Sequence, residues 1–194
     1  MWDLRKFHSI GKLSGGHQAA VMCLATGTVP GNSDTDYVVT GSKDHYIKVF
    51  NVSEGNGGVL TPSMNLIPPH YDGLQNLAVS GDTLFSASRD TCIKKWNLQS
   101  GDLVRSLNNA HKDWICGLSF LPGAQTVVSG CRAGYLKLWN AESCALIGEM
   151  KAHNSPINSI AVNSSHIFTG DNEGSIGLWR VRSNFDKSPD SESS

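Results

Sequence analysis

The 194-residue sequence has little net charge and no long hydrophobic run. Its 16 Lys and Arg residues and 17 Asp and Glu residues leave a formal charge of −1, so bulk charge gives no reason to expect nucleic-acid binding. No stretch approaches the roughly 18 apolar residues of a membrane-spanning helix, and the first residues, MWDLRKFHSI, lack the apolar core of a signal peptide. We therefore predict no nucleic-acid partner and no membrane span.

Cysteine is scarce and follows no pairing pattern. The five cysteines stand at positions 23, 92, 116, 131 and 144, and no two of them form a C-x-x-C motif. An odd number without ligand spacing favours free thiols that pack as small apolar side chains. The histidines form no H-x-x-H motif and no Cys-His cluster, which argues against zinc. These features predict a reducing, cytoplasmic compartment, with no metal and no cofactor.

What the sequence does contain is a repeat. Each copy begins with a His and closes with an aromatic residue, and the closing residues Phe50, Trp96, Trp139 and Trp179 are 46, 43 and 40 residues apart. Segments 40–50, 86–96, 129–139 and 169–179 align without gaps, each as a strand, a tight turn and a second strand. A period of about 40–45 residues with four short strands is typical of an all-β propeller of the WD40 type.

The repeats define the predicted organisation of the chain. We place them at approximately 4–51, 52–97, 98–140 and 141–180, within a repeat region that covers 1–182. Residues 183–194 are rich in Ser and acid without apolar periodicity, which predicts a disordered tail. One aligned column is aliphatic throughout, and side-chain alternation predicts that it points into the blade cores. Its members are Ile47, Ile93, Leu136 and Ile176.

The aligned columns resemble those of the WD repeat family. In that family a His, a Ser or Thr, an Asp and a Trp form a hydrogen-bonded tetrad within one blade. The resemblance implies one complete structural tetrad, formed by His70, Ser86, Asp90 and Trp96. Its physical basis is that a buried indole N–H needs an acceptor and a buried carboxylate needs donors. A Ser-His-Asp catalytic interpretation of this trio is the alternative, but burial would deny Ser86 a substrate, so we predict no catalytic residue.

The other three copies are partial tetrads that should depend more on apolar packing. The first lacks the Trp, the third lacks the acid, and the fourth carries a longer acid. The tetrad residues that remain are His17, Thr40 and Asp44; His111, Ser129 and Trp139; and His153, Thr169 and Trp179. The departures from the pattern are Phe50, Ala133 and Glu173.

Four copies supply little more than half of the roughly 300 residues that a seven-bladed ring of this family would need. Trp2-Asp3 also resembles the end of an earlier strand, so we expect the C-terminal part of a longer protein and an incomplete propeller. Residues 7–13 would then form a lone outer strand. The alternative is a small closed ring in which residues 7–13 join the last blade. An open arc would leave two blade faces exposed.

Five stretches extend the resemblance beyond generic WD repeats. They are LRKFHSIGKL at 4–13, TGSKDHYIK at 40–48, PPHYDG at 68–73, AHKDW at 110–114 and SPIN at 155–158. Together they resemble the C-terminal WD40 domain of kinesin-4 class motors, of the kinesin family member 21 kind. The resemblance implies the tail domain of a plus-end-directed, cytoplasmic microtubule motor that binds tubulin and restrains microtubule growth. The sequence lacks the phosphate-binding motif G-x-x-x-x-G-K-[ST], so this chain should not hydrolyse ATP.

Family geometry also implies where a partner binds. The residue before the tetrad acid lies beside the central opening, and three of these four residues are cations: Lys43, Arg89 and Arg132. The position three residues after each His lies on the same face, which places Trp114 within reach of cation–π stacking on Arg132. We predict that Lys43, Arg89, Arg132 and Trp114 form a rim that binds acidic tubulin. The alternatives are that these exposed turns carry cations without function, and that Trp114 packs inside its own blade.

Two other functions remain open from the sequence. The repeat region could be a scaffold that recruits cargo or adaptor proteins, or it could make an autoinhibitory contact with the rest of a motor. Both would use a protein surface, as the tubulin hypothesis does, and the sequence does not separate them.

Overall fold

The computed structural model describes residues 2–28, 35–53 and 58–180. All the regular secondary structure in these ranges is β-strand. Those ranges contain no helix long and apolar enough to cross a membrane. The predicted tail at 183–194 lies outside the described residues.

The N-terminal residues take part in two small sheets that are separate from the four blades. Strand β1 (Trp2–Asp3) pairs antiparallel with β2 (His8–Ser9). Strand β3 (Gly11–Leu13) pairs in parallel with β7 (Gly58–Leu60). The prediction of a lone outer strand at 7–13 is therefore wrong, because the backbone turns back at Phe7 (φ 51°) and both halves of the segment find partners. Ring closure by residues 7–13 is also wrong, since β3 pairs with β7 and not with a strand of the last blade.

The remaining strands form four consecutive antiparallel sheets, and the predicted WD40-type propeller arrangement is confirmed. The first blade consists of β4 (Val21–Thr28), β5 (Thr35–Ser42), β6 (Ile47–Ser53) and β8 (Met64–Leu66). The second consists of β9 (Leu74–Ser80), β10 (Thr83–Ser88), β11 (Ile93–Asn97) and β12 (Leu103–Leu107). The third consists of β13 (Ile115–Phe120), β14 (Thr126–Cys131), β15 (Tyr135–Asn140) and β16 (Leu146–Lys151). The described part of the fourth consists of β17 (Ile157–Val162), β18 (His166–Asp171) and β19 (Ile176–Arg180).

The turn between the second and third strands is the same in every blade. The residue after the aligned acid position has a left-handed backbone in all four copies: His45 (φ 76°), Thr91 (φ 66°), Gly134 (φ 78°) and Gly174 (φ 84°). A left-handed residue suits a tight hairpin because it matches the right-handed twist of the flanking strands. The repeated turn therefore presents the residues around it at equivalent places in the four blades.

Apolar layers between neighbouring blades form the core. The first layer packs Ile47 and Val39 against Leu74, Leu84 and Trp96 of the second blade. The next layers are built in the same way, with Ile93 against Ile115 and Trp139, and Leu136 against Ile157 and Ile167. The first strands β4, β9, β13 and β17 pack on one another in sequence. Each inner blade thus buries both of its faces, which is where most of the hydrophobic stabilisation arises.

The end blades keep one face open. The predicted aliphatic column is buried at Ile47, Ile93 and Leu136, but Ile176 is 80% exposed, so the prediction is wrong for the fourth copy. The reason is that no further blade of the described chain follows β19. On the first blade, Leu24 is 64% exposed while its register equivalents Leu77 and Leu118 are buried. Among the described residues, the four blades therefore form an open arc.

Candidate partner-binding rim

The tetrad of the second blade is a continuous chain of hydrogen bonds. The indole Nε1–H of Trp96 donates to Ser86 Oγ over 2.9 Å, and Ser86 Oγ lies 2.8 Å from His70 Nε2. His70 Nδ1 lies 2.8 Å from Asp90 Oδ2. Because His70, Ser86 and Trp96 are buried, this series of hydrogen bonds holds the hairpin between β10 and β11 to the segment that precedes the first strand of the blade.

Asp90 is held in its charged form by this network. Burial alone would raise its pKa, but the hydrogen bond and charge of His70 and the backbone N–H groups of Tyr71 and Cys92 lower the pKa to about 2. The pKa of His70 is lowered by burial, against the opposing pull of Asp90. Neutral His70 therefore accepts a hydrogen bond from the Ser86 hydroxyl at Nε2 and donates a hydrogen bond from Nδ1–H to the Asp90 carboxylate.

The first blade keeps the acid and loses the indole. His17 Nδ1 lies 2.9 Å from Asp44 Oδ2, and His17 Nε2 lies 2.7 Å from Thr40 Oγ1. Phe50 takes the closing position and is buried without a polar group to satisfy. The pKa of Asp44 is lowered because hydrogen bonds from the backbone N–H groups of Gln18 and Tyr46 and from His17 outweigh the effect of burial.

The third blade keeps the indole and loses the acid. Trp139 Nε1–H donates to Ser129 Oγ over 2.8 Å, and Ser129 Oγ lies 2.7 Å from His111 Nε2. His111 Nδ1 is buried and has no hydrogen-bond partner among the described residues, because Ala133 stands where the other copies have a carboxylate nearby. Burial and the nearby charge of Lys137 lower the pKa of His111 to about 4.

The fourth blade takes its acid from a position that the alignment missed. His153 Nε2 lies 2.6 Å from Thr169 Oγ1, and Trp179 Nε1–H donates to the same oxygen over 2.9 Å. His153 Nδ1 lies 2.9 Å from Asp171 Oδ2, so the predicted role of Glu173 is wrong. Asp171 is two residues closer to Thr169 in the sequence than Glu173 is. The Glu173 side chain is exposed, and the Glu173 backbone N–H donates to the Asp171 carboxylate. The sequence could have revealed this acid, since Asp171 lies between Thr169 and the turn. It was missed because the gap-free alignment places Glu173, not Asp171, in the same column as Asp44 and Asp90.

The hairpins place the rim residues on one face by a repeated backbone contact. In each blade the residue before the aligned acid position donates its backbone N–H to the carbonyl oxygen of the residue three positions after the blade's His, over 2.9–3.1 Å. The four pairs are Lys43 with Ala20, Arg89 with Gly73, Arg132 with Trp114, and Asn172 with Pro156. The two sequence columns therefore lie side by side in all four blades.

Two arginines lie close to the Trp114 ring. The Arg132 guanidinium carbon lies 4.8 Å from the Trp114 ring centroid, as the sequence allowed, and that of Arg89 lies 4.5 Å away. The Arg89 contact was not predicted, because it comes from the neighbouring blade and alignment within one copy does not show it. Trp114 is half-buried and Arg132 exposed, so the cluster faces outward at least in part. Stacking of this kind orients a guanidinium and leaves its N–H edge free to donate.

The rim cations are not neutralised within the described chain. In that part of the molecule, no carboxylate oxygen lies within 4 Å of a Lys43, Arg89 or Arg132 side-chain nitrogen. Arg89 Nε is buried without a hydrogen-bond partner there. Lys43 is exposed on the first blade, beside Gly73 of the second. The rim thus offers unpaired positive charge around an aromatic anchor, which suits an acidic protein surface.

The geometry offers little for catalysis. Ser86 is fully buried and already bonded to Trp96, so the Ser-His-Asp trio has no access to a substrate. All five cysteines are free, and burial raises the pKa of Cys23 to about 12, which disfavours a reactive thiolate. Within the described ranges, no three His, Cys, Asp or Glu side chains are grouped to hold a metal ion.

Comparison with known proteins agrees with the architecture. The family described as WD domain, G-beta repeat matches residues 7–51, 101–140 and 144–180, and the chain belongs to this family. The fold is shared with the computationally designed Ika4 protein, at a TM-score of 0.73 and 23% identity over 90% of this chain and 99% of that one. It is shared with U3-55K at a TM-score of 0.73 and 22% identity, over 86% of this chain and half of that one.

The most informative relatives are kinesin-like proteins. The chain is 50% identical over 94% of its length to human kinesin-like protein KIF21A and 50% identical over 92% to mouse KIF21B. It is 32% identical over 93% to kinesin-like protein klp-12 of Caenorhabditis elegans. The chain spans 11–12% of the length of these relatives. The predicted resemblance is confirmed: this is a WD40 protein-interaction module that matches the WD40 region of KIF21-type kinesins.

Proposed function

We propose that this module binds tubulin or microtubules through Lys43, Arg89, Arg132 and Trp114, and that this binding influences microtubule growth. The observation that carries the proposal is that Arg89 and Arg132 both stack on the Trp114 ring and have no carboxylate partner in the described chain. Tubulin surfaces and tails are acidic, so the charges of the two partners would be complementary.

The relatives support the choice of partner. A kinesin moves on microtubules, and the KIF21-type relatives carry the same kind of WD40 region. Through this region a kinesin of this type would contact the microtubule at a second site, in addition to the site bound by its motor domain. We propose accordingly that the chain works in the cytoplasm at microtubules, and that it binds its partner without hydrolysing ATP.

The proposal is tested by co-sedimentation with stabilised microtubules. The triple variant Lys43→Glu, Arg89→Glu and Arg132→Glu should bind at least about tenfold more weakly, because each reversal replaces an attraction of order 0.5–1 kcal/mol by a repulsion. Thermal unfolding of both proteins must show that the variant is folded.

A matched control carries the same change in charge elsewhere. Lys6, Lys12 and Arg105 are exposed cations outside the rim, and their triple replacement by Glu should leave most of the binding in place. Equal losses in the two variants would mean that only net charge matters and would contradict the site. Binding of adaptor proteins but no tubulin by the wild-type chain would favour the scaffold hypothesis instead.

A further inference from the structure

A groove of about 340 Å³ lies between the first and second blades, away from the rim. Asp82, which lines it, directly precedes β10, whereas Arg89 directly follows β10, so the groove and the rim lie at opposite ends of this strand. The volume of the groove is in the range of ligand-binding clefts. Its apolar lining consists of Tyr37, Val49, Met64 and Leu98.

Asp82 is the one charged side chain among the described residues that line this groove. Its Oδ1 atom is buried and has no hydrogen-bond partner in the described part of the chain. No Lys, Arg or His nitrogen in that part lies within 4 Å of its carboxylate. Burial and the negative charge of Asp82 raise the pKa of Tyr37, whose hydroxyl donates to the carbonyl oxygen of Gly81 over 2.7 Å. An unpaired carboxylate beside apolar side chains favours a cationic ligand.

The next groove along the chain shows how a lysine fits at the equivalent place. This groove lies between the second and third blades, and Lys95 lines it. Lys95 is the counterpart of Val49, because each directly precedes the closing aromatic of its blade. Its side chain is only 10% exposed, and its Nζ donates to the carbonyl oxygen of Glu142 over 3.0 Å. A lysine packs its aliphatic stem along an apolar wall in this way while its ammonium group reaches polar atoms.

The two grooves differ in the residues that carry charge. Asp82 is the counterpart of Gln125, because their carbonyl oxygens accept the equivalent N–H groups of Leu98 and Ala141, each over 2.8 Å. One groove therefore combines a lysine with a neutral amide, and the other combines a valine with a carboxylate. The first groove thus has the charge that a lysine from another polypeptide would complement.

We propose that the groove between the first two blades binds a lysine side chain of a partner polypeptide, with the ammonium group on Asp82 and the stem against Val49, Met64 and Leu98. The bound lysine would take the place that Lys95 takes in the next groove. The partner segment is basic, in contrast to the acidic surface proposed for the rim. The two sites are separate, so this binding does not depend on binding to microtubules.

The test is an NMR titration of the isotope-labelled 194-residue chain with the blocked tripeptide acetyl-Gly-Lys-Gly-amide at millimolar concentrations. The amide signals of Asp82, Leu98 and Gln99 should shift and reach saturation. The same peptide with norleucine in place of lysine should leave them unshifted, because it keeps the stem and lacks the ammonium group. Asp82→Asn keeps the shape of the side chain and should weaken binding at least about tenfold. Val49→Lys should abolish binding, because the chain's own ammonium group would then pair with Asp82.

Asp102→Asn is the matched control. Asp102 is an exposed acid of the same blade that does not line the groove, and its replacement makes the same change in net charge. The Kd of this variant for the lysine peptide should equal that of the wild-type chain. Shifts that do not saturate, equal binding of the norleucine peptide, or equal Kd values for the wild-type chain and Asp82→Asn would each overturn the proposal.

Discussion

At the scale of single residues, the tetrads show what a missing carboxylate does to a buried histidine. His70 donates Nδ1–H to Asp90, whereas the same nitrogen of His111 has no acceptor in the described structure. The sequence predicted from Ala133 that the third tetrad lacks its acid, but it did not predict the unpaired His111 nitrogen. It misassigned the fourth acid, because identity within a column says nothing about whether the longer Glu173 or the nearer Asp171 reaches His153.

Ala133→Asp should stabilise the chain. Ala133 occupies the aligned position of Asp44 and Asp90, so a carboxylate there can accept the unpaired His111 Nδ1–H. Pairing a buried donor with a charged acceptor is worth about 1–3 kcal/mol. The free energy of unfolding in urea at neutral pH should rise by that amount. An unchanged or lower value would show that Nδ1 is satisfied in another way.

The same site predicts a dependence on pH. The pKa of His111 is about 4 in the folded chain, below its ordinary 6.5, so the unfolded chain binds this proton first as the pH falls. Stability is then lost between about pH 6.5 and pH 4, by up to about 3 kcal/mol. In Ala133→Asp the new carboxylate should raise the pKa of His111 and reduce this loss. Urea unfolding at several pH values checks this, and parallel curves for the two proteins would contradict it.

At the scale of elements, the hairpins were more predictable than the segments that join blades. Alternation and the shared turn predicted the strand pairs around 40–50, 86–96, 129–139 and 169–179, because those features are local in sequence. The pairing of β3 with β7 was missed. It joins residues 11–13 to 58–60 across the first blade, and neither short strand carries an alternating pattern of its own.

Gly134 and Gly174 make a matched pair for the turn. Both are left-handed at φ 78° and 84°, so replacement by Ala strains the backbone by about 1–2 kcal/mol in each case. At Gly134 the new methyl group would also overlap the carbonyl oxygen of His153, while at Gly174 no described atom lies within 4 Å. Gly134→Ala should therefore lower the free energy of unfolding by about 1–3 kcal/mol more than Gly174→Ala. Equal losses in urea titrations would mean that the crowding at Gly134 is relieved without cost.

At the scale of the whole molecule, the sequence predicted which turns share a face but not which side chains of neighbouring blades contact each other. The columns of rim residues followed from the repeat, and the backbone pairs lie where the alignment suggests. The stacking of Arg89 on Trp114 depends on how the second and third blades pack, which no single repeat encodes. The exposure of Ile176 has the same origin, since burial of that column requires a following blade.

The central claim is that unpaired rim cations attract an acidic microtubule surface. The most direct measurement is the Kd for microtubules over a series of salt concentrations, for the wild-type chain and for the Lys43→Glu, Arg89→Glu, Arg132→Glu variant. Screening weakens contacts between exposed charges, so the wild-type Kd should rise with salt concentration. The variant should bind weakly even at low salt, and its affinity should not increase as the salt concentration is lowered. Equal affinities with parallel salt dependence would contradict the account.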